Sequence, residues 1–386
     1  MSVKSKKIAF ATPLAPRTST IVGRVVPLAT ELTKQHEVSV LTLGRPSLIR
    51  EGKGVGFVSV GREPFTRTDS GKKRLRGLGL VLNMLGTSLR TAWKLWRLKP
   101  DVVVIVKPIP SNVFGAWLYS FFGRPKQKIL DVDDFELTAN KLSSIWQRAA
   151  IHWAERVGAK LADVIVTASP FLSDHFIQLT NERKNVIMIP TGLRSFANGE
   201  RATPGKPTHT LAYFGSVSIS SGHRVDLLPN ILSQVRQTIP DVTLLIAGDG
   251  DDVEQLKKDF AAKELTNAVT WHGRFTQSEI KGLLENVAVM IDPVDGSIAN
   301  RAKSSFRIAL ATAIGMPVIS ANIGVRPHLL PHVFHDRFFA LPEDARSYAE
   351  KTIAVLKNSL SPEETQELQH HAEQFTWPEL AKQYPL

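Results

Sequence analysis

The sequence predicts an α/β protein of two doubly wound domains with a cleft between them. Short β-branched runs alternate with helix-period segments along nearly the whole chain, the pattern of parallel sheets flanked by helices. The 386 residues exceed one ordinary core and suit two domains of about 180 residues each. One stretch, 195–209, is rich in Pro, Gly and polar residues and has no periodicity, so it reads as a linker. The expected organisation is a first domain over 1–194, the linker, a second domain over 210–365, and a helical tail over 366–386 placed to cross back to the first domain.

Taken in order, the first domain's predicted strands fall near 7–11, 38–43, 56–60, 102–106, 128–131, 164–167 and 186–189, with helices between them that include 25–34 and 144–161. The second domain's strands fall near 210–214, 243–247, 269–271, 289–291 and 317–320, separated by helices such as 226–237 and 253–263. In such sheets a ligand sits outside the carboxyl ends of the strands. That rule locates candidate residues but names no reaction.

Composition narrows the classes. With 43% hydrophobic and 22% charged residues the chain is globular rather than disordered. It has no cysteine, which excludes disulfides, thiolate metal sites and cysteine nucleophiles. The start, Met1 to Lys7, is basic and is followed by only four apolar residues, too few for a secretory signal. No apolar run approaches a membrane span, so a cytoplasmic or peripheral protein is expected. The excess of 48 Lys+Arg over 36 Asp+Glu, a net +12, points to anionic partners. No recognised nucleic-acid motif is present, so nucleic acid is not the expected partner. The first strand runs into Thr12–Arg17 without a GxGxxG, which disfavours a dinucleotide oxidoreductase.

Several segments carry more specific information. His36–Thr42 (HEVSVLT) completes an opening β-α-β unit, and Ile189–Gly192 reads IPTG. Tyr213–Gly215 reads YFG, Leu245–Gly250 reads LIAGDG, and His272-Gly273 follows the next strand. Ala313–Ile319 reads AIGMPVI, and Phe375–Trp377 reads FTW. In this order they resemble the GT-B nucleotide-sugar glycosyltransferases of the retaining family 4 type, built of two Rossmann-like domains. The resemblance implies a donor site on the second domain, involving Gly215, Ser216, Gly248 and Gly250. It implies an acceptor site on the first, and no cofactor beyond the nucleotide sugar itself.

The departures from the family pattern are informative. An arginine and a lysine that neutralise the diphosphate in the family correspond to Ser216 and Ser221. Two family glutamates, with seven residues between them, correspond to Ala302 and Leu310, and a leucine accepts no hydrogen bond from a ribose. In their place stands Lys303-Ser304-Ser305-Phe306-Arg307. Leading into the next helix, it sets Lys303 and Arg307 one turn apart at a phosphate-favouring helix N-terminus, with Ser304 as the cap. Lys303 and Arg307 are the expected stabilisers of leaving-group charge, with Ser304 and Ser305 beside them. A solvated basic turn is the plainer alternative.

Asp131-Val132-Asp133-Asp134 closes a predicted strand. Asp133 is a candidate catalytic acid or base, with Asp131, Asp134 and Arg17 as acceptor contacts; a helix cap flanked by solvated carboxylates is the alternative. No metal is expected. Residues 62–99 hold ten basic side chains against Glu63 and Asp69. Within them Leu75, Leu78, Leu82, Leu85, Leu89, Trp93 and Trp96 form one helical stripe. The expectation is that the stripe packs inward while the basic residues of 72–97 face an anionic membrane. The expected function is sugar transfer from an activated donor to a glycan or lipid-linked acceptor in surface polysaccharide or glycolipid synthesis. The alternatives are a degenerate, non-catalytic scaffold subunit and a sugar-nucleotide 2-epimerase.

Overall fold

In the computed structural model the described residues are 4–386, apart from 50, 69–70, 141, 143, 194–208 and 277–278; of 66–68, 71–74 and 221 the backbone alone is described. The predicted linker 195–209 therefore lies outside the described residues except for His209. The chain forms two compact units, one of residues up to Gly192 together with Trp377–Leu386, the other Leu193–Thr376.

The first unit contains β1 (Lys7–Ala11), β2 (Glu37–Leu43), β3 (Gly56–Gly61), a hairpin of β4 (Phe65–Thr68) and β5 (Gly71–Arg74), then β6 (Val102–Val106), β7 (Gln127–Val132), β8 (Val164–Thr167) and β9 (Asn185–Met188). Apart from the hairpin they make one parallel sheet in the order β3-β2-β1-β6-β7-β8-β9. Helices α1 (Val26–Leu32), α2 (Gly77–Leu98), α3 (Pro110–Phe122), α4 (Glu136–Ala139), α5 (Ile145–Leu161) and α6 (Pro170–Leu179) connect them. The order reverses between β1 and β6, the switch point at which open α/β sheets bind ligands. Every residue of β6, VVVIV, is buried, as a central parallel strand requires.

The second unit contains β10 (Thr210–Phe214), β11 (Thr243–Ala247), β12 (Val269–Gly273), β13 (Val289–Ile291), β14 (Val318–Ala321) and β15 (Phe339–Ala340). They pair in parallel in the order β12-β11-β10-β13-β14-β15, reversing between β10 and β13. Its helices are α7 (Leu228–Thr238), α8 (Val253–Ala261), α9 (Ile280–Leu284), α10 (Ile298–Ala302), α11 (Phe306–Ile314), α12 (His335–Phe338), α13 (Ala345–Lys357) and α14 (Pro362–Glu373). The last helix, α15 (Trp377–Lys382), belongs to the first unit, where Trp377, Leu380 and Tyr384 join the core with Ile8, Phe10 and Ile21.

The packing of α2 overturns an expectation. The stripe on α2 does not pack inward: Leu78, Leu82, Leu89 and Trp96 are more than half exposed, and Leu75, Leu85 and Trp93 are exposed as well. The buried face carries the small polar Thr87, Ser88 and Thr91, joined by Leu95. Gly115 of α3 explains this, because a Cβ there would lie 3.0 Å from both the Ser88 carbonyl oxygen and Thr91 Cβ. Ser88 Oγ donates to the Ser111 carbonyl at 2.9 Å. Two helices this close have room only for small side chains between them. Lys72, Lys73 and Arg74, the start of the basic segment expected to face a membrane, fall in β5, and their side chains are outside the described residues. Among the described residues no helix is long and apolar enough to cross a membrane.

Candidate active site

In the second unit the site begins where β10 ends. Gly215 has φ +131°, and a Cβ there would lie 2.7 Å from Arg307 Nη1. Its amide donates to the Ala247 carbonyl at 2.9 Å, and the Val217 amide to the Asp249 carbonyl at 3.1 Å. Gly248 and Gly250 complete this interlock: a Cβ on either would strike the Gly215 or Val217 carbonyl oxygen, at 1.7 and 2.1 Å. These two glycines, expected to approach the donor, are required by backbone meeting backbone. Ser216 is exposed at the tip, and its carbonyl accepts from the Tyr213 hydroxyl at 2.6 Å.

Lys303 and Arg307 are not one turn apart on a single helix. Lys303 ends α10 in extended backbone, Ser304 follows in the connecting turn, and α11 starts at Phe306. Ser305, not Ser304, is the N-cap, with Oγ accepting from the Ile308 amide. Arg307 is buried, and each guanidinium nitrogen has a protein partner. Nε donates to Asp292 Oδ1 at 2.6 Å, Nη1 to the Phe214 carbonyl at 3.0 Å, and Nη2 to His223 Nδ1 at 3.0 Å. The guanidinium also covers the Tyr213 ring at 4.8 Å. Arg307 is therefore not the surface cation its position suggested.

Asp292, just after β13, is the hub. Arg326 Nε donates to its Oδ2 at 3.0 Å, and the Ser305 and Ser320 hydroxyls donate to the same oxygen at 3.1 and 2.9 Å. Burial opposes its ionisation, but Arg307 and Arg326 outweigh burial and hold its pKa well below the usual carboxylate range. Burial likewise works against the charge on Arg307, and Asp292 more than offsets it, so that pKa is raised. Two guanidinium groups on one carboxylate leave one positive charge in excess beneath Gly215. His223 registers it: burial, then Arg307 and Lys303, push its pKa down to about 3. An arginine only donates, so Nδ1 of this neutral ring accepts and Nε2 carries the proton. Lys303 is half-buried and near enough to His223 to act on it. Leu310 is buried in the core, so nothing at that position meets a ribose.

In the first unit the candidates gather at the carboxyl ends of β6 and β7. Arg24 lies in a π-helical turn, Ile21–Val25, and is buried. Its Nε donates to Asp131 Oδ1 at 2.7 Å and its Nη1 to the Ile189 carbonyl at 3.0 Å. The Tyr384 hydroxyl donates to Asp131 Oδ2 at 2.9 Å. Asp131, expected at the acceptor, is instead the buried lock that ties the C-terminal tail to the sheet.

Asp133 and Asp134 belong to a different cluster. Lys107, in the left-handed region at φ +63° directly after β6, places its buried ammonium 3.2 Å from Asp133, 2.6 Å from Asp134 and 3.0 Å from Glu136. Only Asp134 takes a well-directed hydrogen bond from it. Burial alone would lower the Lys107 pKa, but the three carboxylates raise it well above its ordinary value. Burial raises that of Glu136. The three carboxylates are close enough together for a metal ion, yet the Lys107 ammonium already occupies their shared focus. Thr20 donates to Asp133 Oδ2 at 2.8 Å, joining the loop that bears exposed Arg17 to the acidic turn.

Sequence reasoning missed Asp292, Arg326, His223, Lys107 and Arg24. Asp292 and Lys107 had a readable signal, since each follows a predicted strand at its carboxyl end; the others are defined by long-range contacts alone.

Two parallel doubly wound units, each with polar residues gathered at its switch point, define the GT-B class of two-domain transferases. Residues 20–192 match the family model of the glycosyl transferase 4-like domain, and residues 208–358 that of the glycosyl transferases group 1. The chain belongs to these glycosyltransferases. No curated protein matches it at the sequence level. Among solved structures it is similar to HepE of Anabaena, solved with UDP and glucose, at 16% identity and TM-score 0.72, covering 98% of each chain. It is also similar to sucrose-phosphate synthase of Thermosynechococcus elongatus at 15% identity and TM-score 0.74, covering 98% of this chain and 97% of that one. The lipopolysaccharide outer core galactosyltransferase WaaB matches at 14% identity and TM-score 0.66, covering 98% of each chain.

Proposed function

We propose that this glycosyltransferase moves a sugar from a nucleoside-diphosphate donor to a glycan or lipid-linked acceptor in surface polysaccharide or glycolipid synthesis, with retention at the anomeric carbon. The observation that carries the donor reading is the excess positive charge held by Arg307 and Arg326 on Asp292 beneath Gly215. A leaving diphosphate gains charge in the transition state, and a fixed, buried cation needs no reorganisation to stabilise it. Lys303 and the Nε2–H of His223 supply the nearer contacts, and Ser216 and Ser304 flank them. HepE was solved with UDP and with UDP-glucose, which makes UDP the first nucleotide to test. The acceptor belongs to the first domain, near Arg17, Asp133 and Asp134, with the Lys107-bound turn holding its shape. Residues 195–209 join the domains, the C-terminal tail returns to the first from Trp377 onward, and the basic segment 72–97 attaches the enzyme peripherally to an anionic membrane.

The test is a thermal-shift series with UDP, GDP and CMP and their sugar conjugates, on wild type, Lys303→Ala and Arg307→Lys. A ligand well above its Kd raises the Tm of the state it binds. Stabilisation by one nucleotide, weakened in Lys303→Ala, supports the reading. Stabilisation by none of them defeats it.

A further inference from the structure

Helices α2, α3 and α5 pack side by side in the first unit, and their outward faces share a composition that the fold leaves uncovered. Five of the chain's seven tryptophans, Trp93, Trp96, Trp117, Trp146 and Trp153, are exposed on these three helices. Phe121 and Phe122 add two exposed rings at the end of α3. The Phe114 ring links Trp117, at 5.6 Å, to Trp153 of α5, at 6.4 Å, and monomeric proteins rarely expose extended apolar surface without a use for it.

Charge narrows the occupant. Neither α2 nor α3 contains an acidic residue, and the single one on α5, Glu155, is buried. The cations are numerous, with Arg90, Lys94 and Arg97 on α2 and Arg148, Arg156 and Lys160 on α5. Lys94 and Arg97 lie over the Trp93 ring at 4.9 and 5.1 Å, so apolar body and charged head occupy the same face. A second copy docked by two-fold symmetry would set this basic face against itself. Leu78, Phe122 and Trp146 are 73%, 79% and 81% exposed. Side chains that protrude so far have no rim to seat a rigid partner, whereas fluid acyl chains need none. Aromatic and leucine side chains interleaved with Lys and Arg, and lacking exposed acids, match the boundary between headgroups and hydrocarbon.

We propose that the α2–α3–α5 face is a lipid-insertion surface, which seats its leucines and aromatic rings in the outer hydrocarbon of an anionic leaflet while the flanking cations meet the headgroups. This deepens the membrane reading above and rests on it, but moves the attachment from a basic segment held by charge to three helices held by apolar burial.

The experiment uses the full-length protein with vesicles of phosphatidylcholine alone and of phosphatidylcholine with phosphatidylglycerol, read by co-flotation and tryptophan emission. Wild type is expected to float with the anionic vesicles and to shift its emission to the blue. Part of that binding is expected to survive about 0.5 M salt, where charge attraction is screened. The Leu85→Gln/Leu89→Gln variant alters only exposed positions and keeps the fold; it is expected to bind at least about tenfold more weakly at both salt concentrations. Arg90→Gln/Lys94→Gln is expected to weaken binding only at low salt. The proposal is overturned by absence of flotation, by binding that salt abolishes and the leucine variant leaves untouched, or by a concentration-dependent dimer that the leucine variant dissolves. Stabilisation by a nucleotide sugar is measured on the same samples: lost flotation with intact stabilisation rejects the insertion face alone, and the converse rejects the donor reading alone.

Discussion

Arg307 reaches across the second unit's switch point to Asp292 at 2.6 Å, and through its other nitrogens to the Phe214 carbonyl and His223 at 3.0 Å each. One side chain thus ties together the ends of β10 and β13 and the start of α11. Asp292→Asn keeps the shape and removes the charge, stranding two guanidinium groups. A loss of about 3–5 kcal/mol is expected, against about 1 kcal/mol for a single neutral hydrogen bond. Urea unfolding at pH 7 separates the two.

His223 makes pH a second probe. Its pKa in the fold is pushed down to about 3, whereas an unfolded histidine titrates near ~6.5. Between these values the unfolded chain binds a proton that the folded chain refuses. Stability contributed by the neutral ring is therefore complete above about 6.5 and is lost as pH falls toward 3, by up to ~1.4 kcal/mol per pH unit. His223→Gln is expected to flatten the wild-type curve over that window and to leave the curve above pH 7 parallel. Urea unfolding at several pH values, compared between the two proteins, checks this.

The glycines predict a graded series. Gly248→Ala forces a Cβ to within 1.7 Å of the Gly215 carbonyl oxygen, backbone that has nowhere to move; severe destabilisation or failure to fold is expected. Gly215→Ala meets the Arg307 guanidinium at 2.7 Å with φ +131°, so the expected outcome is a folded protein of lower Tm with weakened nucleotide-sugar binding. Gly282→Ala, in α9 with open space around it, is expected to be stabilising by about 0.4–1 kcal/mol. Thermal denaturation ranks the three.

Periodicity made the fold legible: strands such as Val102–Val106, Thr210–Phe214 and Thr243–Ala247 lie where the β-branched runs predicted. The same reasoning failed on α2, because a 3.6-residue apolar stripe is compatible with either face being buried. Gly115 on a neighbouring helix decided it. At the site, the segment from Lys303 to Arg307 was found by its place before Gly315. Its geometry was misjudged, since a helix break at Ser304 and a partner at Asp292 leave no local pattern. The acidic turn was likewise visible, but Arg24, Lys107 and Tyr384, which distinguish its carboxylates, come from distant parts of the chain. Local chemistry showed where polar groups collect; only tertiary contacts showed which of them are already spent.

Lys107 tests that distinction directly. Its ammonium lies within 3.2 Å of Asp133, Asp134 and Glu136, so Lys107→Gln leaves three crowded carboxylates with only the more distant Arg24, which acts on Asp133, as counter-charge. At neutral pH a loss of about 3–5 kcal/mol is expected. The deficit should shrink as pH falls and the carboxylates take up protons, because protonation relieves the repulsion that the substitution creates. The same three groups are close enough to share one ion. Millimolar Mg²⁺ or Ca²⁺ is therefore expected to raise the Tm of Lys107→Gln while leaving wild type, whose cluster already holds its cation, unmoved. If neither acid nor divalent cation recovers stability, Lys107 supports the turn by packing and not by charge, and the assignment of Asp133 and Asp134 to a charge-balanced acceptor site fails with it.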